Sequence, residues 1–447
     1  MTHDLSRMQM VCVSLILLLG GYLRFAAVAD TVVDHPYRSD VASYYQTAYN
    51  LNTYGVYSHV INQAGGHESA PRPDAFVTPG YPLLLTLFID TPPTPQVFLQ
   101  VALWQAVFGT VTLLLVFWLF RHIGGFVVGS AAMLFTAISP HQVNTVVFMV
   151  TETWFTLLLT VSLVVFALHL GAQRRFLPGL LAAGVLFGVA ALTRPVLEFF
   201  PPFLMVLLFL SHPRRQALQG SAVLLVGFLA VWMPWLVRNE VSTGRAGDPT
   251  VMITTLTSGM YPDLEYDHNP ASLAIPYDFD PRIAQINSST GSALAEIARR
   301  FRTDTGEELE WYLAGKPRML WSWDVIEGGK DAYIYSVMHT PYRSSPLFRA
   351  THAVAFLLHW PLVLLAFLTT FYVWLPRTWV RLAGPALVMA RLIGMLLLYN
   401  TAVLMVLAPF VRYSIPFLPL IFGMAMLGLA LAAQWVRERG VARAVGH

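Results

Sequence analysis

The sequence predicts an all-α polytopic membrane protein with about ten transmembrane helices and two long segments outside the membrane. Three observations predict this. Of the 447 residues, 56% are hydrophobic and only 12% charged, about half the charge of an ordinary soluble domain. The apolar residues gather into runs of about 20, long enough to cross a hydrocarbon core. The short arginine-bearing linkers between runs hold almost no acids, whereas the long polar segments are rich in them. Such a chain excludes a soluble enzyme, a disordered protein and a secreted disulfide scaffold. The single cysteine, Cys12, lies in an apolar run and builds neither an intramolecular disulfide nor a cysteine metal site. The net charge of +3 carries no basic cluster, so no nucleic-acid partner is expected.

Taken in order, the apolar runs lie at about 8–29, 96–120, 124–140, 152–170, 177–193, 196–210, 217–237, 350–374, 384–408 and 413–435. Ala27-Val28-Ala29 has the form of a signal-peptidase site, but the long apolar stretch and Arg24 before it predict an uncleaved helix. The fifth and sixth runs meet at Arg194-Pro195 as an out-and-back hairpin. With the N-terminus inside, the inner segments carry Arg7, Arg121, Arg174, Arg175, Arg214, Arg215, Arg377, Arg381, Arg437, Arg439 and Arg443 against only Asp4 and Glu438. The opposite topology would put every short arginine loop outside. Both termini are therefore expected in the cytoplasm, with the segments at about 30–95 and 238–349 outside. The chain divides into an N-terminal transmembrane module, 1–237, an outer segment, 238–349, with room for a small α/β subdomain, and C-terminal helices, 350–447.

The chemistry gathers at the outer ends of the spans. From Asp40 to Tyr54, Val41, Tyr44, Tyr45, Ala48 and Leu51 recur at helical spacing, which predicts an amphipathic helix on the membrane surface. Asp40 at its start is either a helix cap or a general base for an acceptor hydroxyl. Pro79-Gly80-Tyr81-Pro82 makes a rigid turn before an apolar helix too short to span. Arg24, Arg194, Arg238 and Arg412 stand at one level, flanked by Asp40, Glu152 and Glu198. Each arginine reads either as a headgroup anchor or as a donor fork for phosphate oxygens. Glu152, in the first turn of its span, is favoured there by the helix dipole alone. Arg391 lies within its span, as a functional charge or one that snorkels inward. No nucleotide-binding or zinc motif occurs, and the inner segments are short, so an energy-rich donor is expected to arrive through the membrane.

Leu23-Arg24, Ser39-Asp40-x-x-x-Tyr44, Ala48-Tyr49-Asn50-Leu51, Gly55 and Tyr57, Pro79-Gly80-Tyr81-Pro82, Thr151-Glu152, Leu192-Thr193-Arg194-Pro195, Pro234-Trp235-Leu236-Val237-Arg238-Asn239 and Arg412-Tyr413-Ser414-Ile415-Pro416 follow one another along the chain. In that order the chain resembles the membrane glycosyltransferases of the dolichyl-phosphate-mannose protein mannosyltransferase and aminoarabinose transferase type. These are GT-C fold enzymes, glycosyltransferase family 39-like, and the resemblance is nearest to the bacterial envelope-glycan branch. It implies an inverting transferase moving one sugar from a polyprenyl-phosphate donor to a lipid, glycan or protein acceptor on the outer face of an inner membrane. It implies Asp40 as the base and Arg24, Arg194 and Arg412 as donor-phosphate ligands. Tyr44, Glu152, Glu198, Arg238 and Tyr413 complete the expected substrate-binding set. Val41 follows Asp40 where some members carry a second acid, so no required metal or other cofactor is expected. A transporter or flippase, and an outer-face ligase using a polyprenyl-diphosphate donor, remain the rival readings.

Overall fold

In the computed structural model, residues 5–60, 70–170, 176–376, 382 and 384–445 are described. The inner arginines Arg174, Arg175, Arg377 and Arg381 lie outside the described residues, as do the side chains of Arg439 and Arg443. Every apolar run of the sequence is helical. From the N-terminus come α1 (Arg7–Asp30), β1 (Val32–Val33), α2 (Ser39–Tyr54), α3 (Gly80–Leu85), α4 (Pro95–Gly124), α5 (Phe126–Ile138), α6 (Pro140–Asn144), α7 (Thr151–His169), α8 (Phe176–Thr193), α9 (Pro201–Ser211) and α10 (Arg214–Thr243). Then follow α11 (Thr250–Ser258), α12 (Ile283–Ile286), α13 (Thr290–Thr303), α14 (Thr305–Glu310), α15 (Lys316–Leu320), β2 (Val337–His339) and α16 (Pro341–Ser344). The chain closes with α17 (Pro346–Tyr372), α18 (Gly384–Val406) and α19 (Leu418–Val445).

Among the described residues, eight helices are long and apolar enough to cross a membrane. The count is nine if the bent pair Phe126–Ile138 and Pro140–Val147, which turns by 59°, is one broken span rather than a re-entrant loop. Pro140 brings no N–H to the helical ladder, so the break falls there. The sixth run, Pro195–Ser211, is apolar but shorter, and it begins with a 3-10 turn just after α8. The protein is thus an integral multi-pass membrane protein.

The spans pack α1 on α4 and α5, α7 on α4 and α8, α10 on α8 and α9, and α17 on α19. Where α8 meets α10 the backbones nearly touch. A Cβ on Gly184 would lie 2.1 Å from the Leu224 carbonyl oxygen, and one on Gly227 would lie 2.4 Å from that of Leu181. Small residues let dispersion contacts hold helices together where lipid supplies no hydrophobic driving force. Large apolar side chains such as Leu18, Leu357 and Leu368 stay exposed on surfaces suited to lipid.

The α/β element is small: β1 and β2 pair antiparallel, joining the polar segment at 30–95 to the end of that at 238–349. The rest of 238–349 is short helices and turns. Within it Glu296 binds Arg282 and Arg299, and those hydrogen bonds hold its carboxyl down to about 2.

A separate apolar core lies where these segments meet the spans. Val41, Tyr45 and Ala48 of α2 are buried with Tyr81 and Leu85 of α3, Val97 and Val101 of α4, Phe148–Val150, Val325, Tyr333–Tyr335, Val411 and Ile415. The face read as apolar in the sequence is the face α2 buries. Gly80 sets α3 against the end of α8: a Cβ there would meet the Thr193 hydroxyl at 2.3 Å and its main-chain nitrogen at 2.8 Å. Gly80→Ala is expected to lower stability by about 1–3 kcal/mol through overpacking, read as an earlier thermal unfolding transition in detergent. An unchanged transition would show that α3 can move aside freely.

Candidate active site

Four charged side chains from four distant parts of the sequence converge above this core. Arg412, in the 3-10 turn before α19, donates from Nη2 to Asp40 Oδ2 at 2.6 Å and from Nε to Glu152 Oε1 at 3.2 Å. Arg194, at the end of α8, lies 3.1 Å from the same Glu152 oxygen. The result is a chain of alternating charge, Asp40–Arg412–Glu152–Arg194. It is graded in exposure: the side chain of Glu152 is 0% exposed, those of Arg194 and Arg412 11% and 13%, and that of Asp40 41%. The buried acid thus holds two arginines in place, while the carboxylate at the open end is reachable.

Local structure explains how each group arrives. Asp40 sits in the first turn of α2, but the cap position is Arg38, and no side chain caps the helix. The capping role is therefore not the one Asp40 plays; its carboxylate reaches out to Arg412. Ser39 just before it has φ 50°, a left-handed conformation that costs a non-glycine residue about 1–3 kcal/mol and is found at functional sites. Glu152 opens α7 and Arg194 precedes Pro195 at the break after α8. Tyr413 places its ring 5.1 Å from the Arg194 guanidinium and 5.8 Å from that of Arg412. Tyr44 packs edge-on against Tyr81 at 5.4 Å. Burial, then the nearby Asp40 charge, raises the Tyr44 phenol above its ordinary range, so it stays a neutral donor. Tyr81 donates to Gln105, whose amide donates in turn to the Val146 and Phe148 carbonyls. That relay fixes the floor of the site.

The other expected residues lie elsewhere. Arg24 is 1% exposed and donates to the carbonyls of Gly20, Ala137 and Thr136 at 3.0, 3.3 and 3.1 Å. It is a staple between α1 and the end of α5: both terminal nitrogens are bound to carbonyls, and its Nε is buried without a partner. Arg24→Met is expected to lower stability by about 1–3 kcal/mol while leaving the donor KM of the folded protein unchanged. A raised KM with an unchanged unfolding temperature would restore Arg24 to the site. Arg238 clasps the first outer segment to α10, donating to the Asp74 and Tyr57 carbonyls at 2.5 and 3.0 Å and lying over the Tyr57 and Trp235 rings. Glu198 is half-buried in the break after Arg194 and, among the described residues, forms no ion pair with the cluster. Arg391 donates to the Val373 carbonyl and lies over the Trp374 ring.

Sequence reading missed two neighbours. Glu327 accepts the main-chain N–H of Arg412 through Oε1 at 3.0 Å. Tyr335 lies beneath the Arg38 guanidinium at 4.8 Å and packs edge-on against Phe148. Both come from the irregular end of the second outer segment. Their one sequence signal was local: Glu327-Gly328-Gly329 and Tyr333-Ile334-Tyr335 concentrate turn-forming and aromatic residues there.

Helices of this arrangement, with a charge network at one end of the spans beneath two long segments, define a GT-C fold membrane protein. Residues 78–237 match the family of dolichyl-phosphate-mannose-protein mannosyltransferases, which bears out the resemblance read from the sequence. Among curated proteins, none matches the chain. Among solved structures, it is similar to the archaeal oligosaccharyltransferase AglB from Archaeoglobus fulgidus in complex with an inhibitory peptide and a dolichol-phosphate. That match has a TM-score of 0.53 at 13% identity, over 99% of this chain and 52% of that one. The Archaeoglobus fulgidus oligosaccharyltransferase in complex with Zn and sulfate gives 0.52 at 12% identity, over 96% and 50%. ArnT from Cupriavidus metallidurans bound to undecaprenyl phosphate gives 0.40 at 13% identity, over 95% and 77%. The chain spans about half the length of the oligosaccharyltransferase chains it matches.

Proposed function

We propose that the protein is an inverting glycosyltransferase. It moves one sugar from a polyprenyl-phosphate donor to an envelope acceptor on the outer face of a bacterial inner membrane. The acceptor is of the lipid A, core oligosaccharide, polysaccharide or protein class. One observation carries the reading: a reachable carboxylate, Asp40, and two buried arginines share a single ion network through Glu152. The match to a family named for a lipid-phosphate sugar donor supports it, as does the bias of arginines toward the short inner segments.

In the proposed reaction the donor phosphate enters beside Arg412 and Arg194 and takes over the hydrogen bond now made by Asp40. The freed Asp40 accepts the proton of an acceptor hydroxyl. The hydroxyl oxygen bonds to the anomeric carbon as the bond from that carbon to the phosphate oxygen breaks, from the opposite side, as inversion requires. The electron pair leaves with the phosphate, whose charge the arginines stabilise. Loss of one such contact costs about 10²–10³ in rate. No metal is assigned, because Val41 stands where a second acid would flank Asp40.

The test is turnover of lipid-linked sugars in membranes of a host lacking the gene, with and without the protein. Release of polyprenyl monophosphate is the expected result, insensitive to chelation, with mass spectrometry identifying the modified acceptor. Release of a diphosphate would make the protein a glycan ligase. No turnover across a broad donor panel would leave transport as the reading.

A further inference from the structure

One stretch of the polar segment at 238–349 reaches in among the spans. Residues 305–320 form a continuous helical run: α14, a π turn at Trp311–Gly315, and α15. The run ends at Leu320 and Trp321, both buried in the main apolar core of the spans. Contacts fix its depth. The Trp321 carbonyl accepts from His359 Nε2 of α17 at 2.7 Å, its indole N–H donates to Thr401 of α18 at 3.1 Å, and its ring lies 5.5 Å from that of Phe367. Arg349 is the single arginine of α17, which holds no lysine or acid. His359 follows it by ten residues, about 15 Å along a helix. Trp321 therefore stands about 15 Å deeper than Arg349. Two residues later the chain is already returning, for Trp323 packs edge-on against His352 and Phe356.

Leu313 precedes Trp321 by eight residues and Leu309 by twelve. A helix climbs at most about 12 and 18 Å over those lengths. Leu313 thus lies no higher than Arg349. Leu309 lies at most a few ångströms above it, within a headgroup layer about 5–8 Å deep. The run is also inside out for a helix in water. Glu308 and Lys316 are turned inward, 5% and 0% exposed, whereas Leu309 and Leu313 are 45% and 65% exposed. Lys316 Nζ donates to the Met405 and Leu407 carbonyls at 2.8 and 3.0 Å and lies 3.6 Å from the Tyr312 ring. Those carbonyls close α18, where the helix has no donors left and its dipole favours a cation. Arg318 on the last turn is exposed and reaches Asp263 at 3.9 Å; its long stem can carry the charge back to headgroups. The π turn packs on α18, whose last residue, Val406, is itself exposed. The exposed leucines therefore continue the lipid-facing surface of the spans.

We propose that residues 305–321 dip into the membrane and that Leu309 and Leu313 bind bilayer phospholipid, Leu313 against the upper acyl chains and Leu309 among the headgroups. This placement does not depend on the transferase reading.

The test uses the full chain in phospholipid nanodiscs. Cys12 is the single cysteine, so Cys12→Ser gives the background for Leu309→Cys and Leu313→Cys, each labelled with bimane. Leu357→Cys, exposed on α17, marks lipid, and Asp278→Cys, exposed in the same polar segment, marks water. Emission from Leu313→Cys should be lost to a phospholipid with a nitroxide high on its acyl chain as strongly as from Leu357→Cys. Aqueous iodide should quench it far less than Asp278→Cys. Leu309→Cys should respond most to a nitroxide on the headgroup. Iodide quenching of Leu313→Cys equal to that of Asp278→Cys, with no loss to nitroxide lipids, would put the run in water and overturn the proposal. Silence to both quenchers would also overturn it, because protein, such as a second copy, would then cover the face. If the cysteine variants misfold, hydroxyl-radical labelling of the unmodified protein in nanodiscs decides. It should spare Leu309 and Leu313 while oxidising Met338, which is as exposed as Leu313; labelled leucines would sink the idea.

Discussion

Asp40→Asn is expected to lower sugar-transfer turnover by about 10²–10⁴-fold, the range removed with a positioned general base, while leaving the fold intact. Asparagine has the same shape, and its carbonyl oxygen can still accept from Arg412 Nη2, now 2.6 Å from the carboxylate. It cannot take up the acceptor proton. Helix α2 should survive, since Asp40 makes no cap bond and the buried face of Val41, Tyr45 and Ala48 is unchanged. The loss should therefore fall on kcat. The donor KM should hold or fall, because removing a carboxylate frees Arg412 for phosphate. Equal turnover by both proteins would remove Asp40 as the base and make Glu152 the next residue to vary. A risen KM with intact kcat would instead assign Asp40 to binding.

Glu152→Gln is expected to act on stability as well as activity. The side chain is fully buried between two arginines, 3.1 and 3.2 Å from its Oε1. Breaking a buried ion pair by removing one partner typically costs about 3–5 kcal/mol, because the remaining charge is left uncompensated. Here one change leaves two like charges beside each other in a sealed site. At about 2–4 °C per kcal/mol for proteins half this size or smaller, the unfolding transition should fall by several degrees. Turnover should fall too, as Arg194 and Arg412 move apart. A Glu152→Gln protein with an unchanged transition would mean that water or another group already neutralises the arginines.

Several of these residues were legible in the sequence because hydropathy reports depth. The ends of apolar runs put Asp40, Glu152, Arg194 and Arg412 at one level, and the structure brings those four together. Depth does not report rotation about a helix axis. Arg24 stands at the same level but faces α5, where three carbonyls take its donors. Arg238 faces the first outer segment rather than the network. The apolar period of α2 was clear because a surface helix must bury one face. Glu327 and Tyr335 lie in a stretch without periodicity, placed by turns and tertiary contacts that leave no repeat to read.

The two-stranded sheet ties Val32–Val33 to Val337–His339. Asp40 follows the first strand by seven residues, and Tyr335 precedes the second by two. Each residue of extended chain advances about 3.3 Å, close to the length of one hydrogen bond. Spacer length on either side of the sheet is therefore a constraint of its own. A single inserted residue between 33 and 39, or between 327 and 337, should be far more damaging than substitutions there, whereas insertions in 265–280 should be well tolerated. The sheet acts as a ruler that sets how far apart the two halves of the site stand.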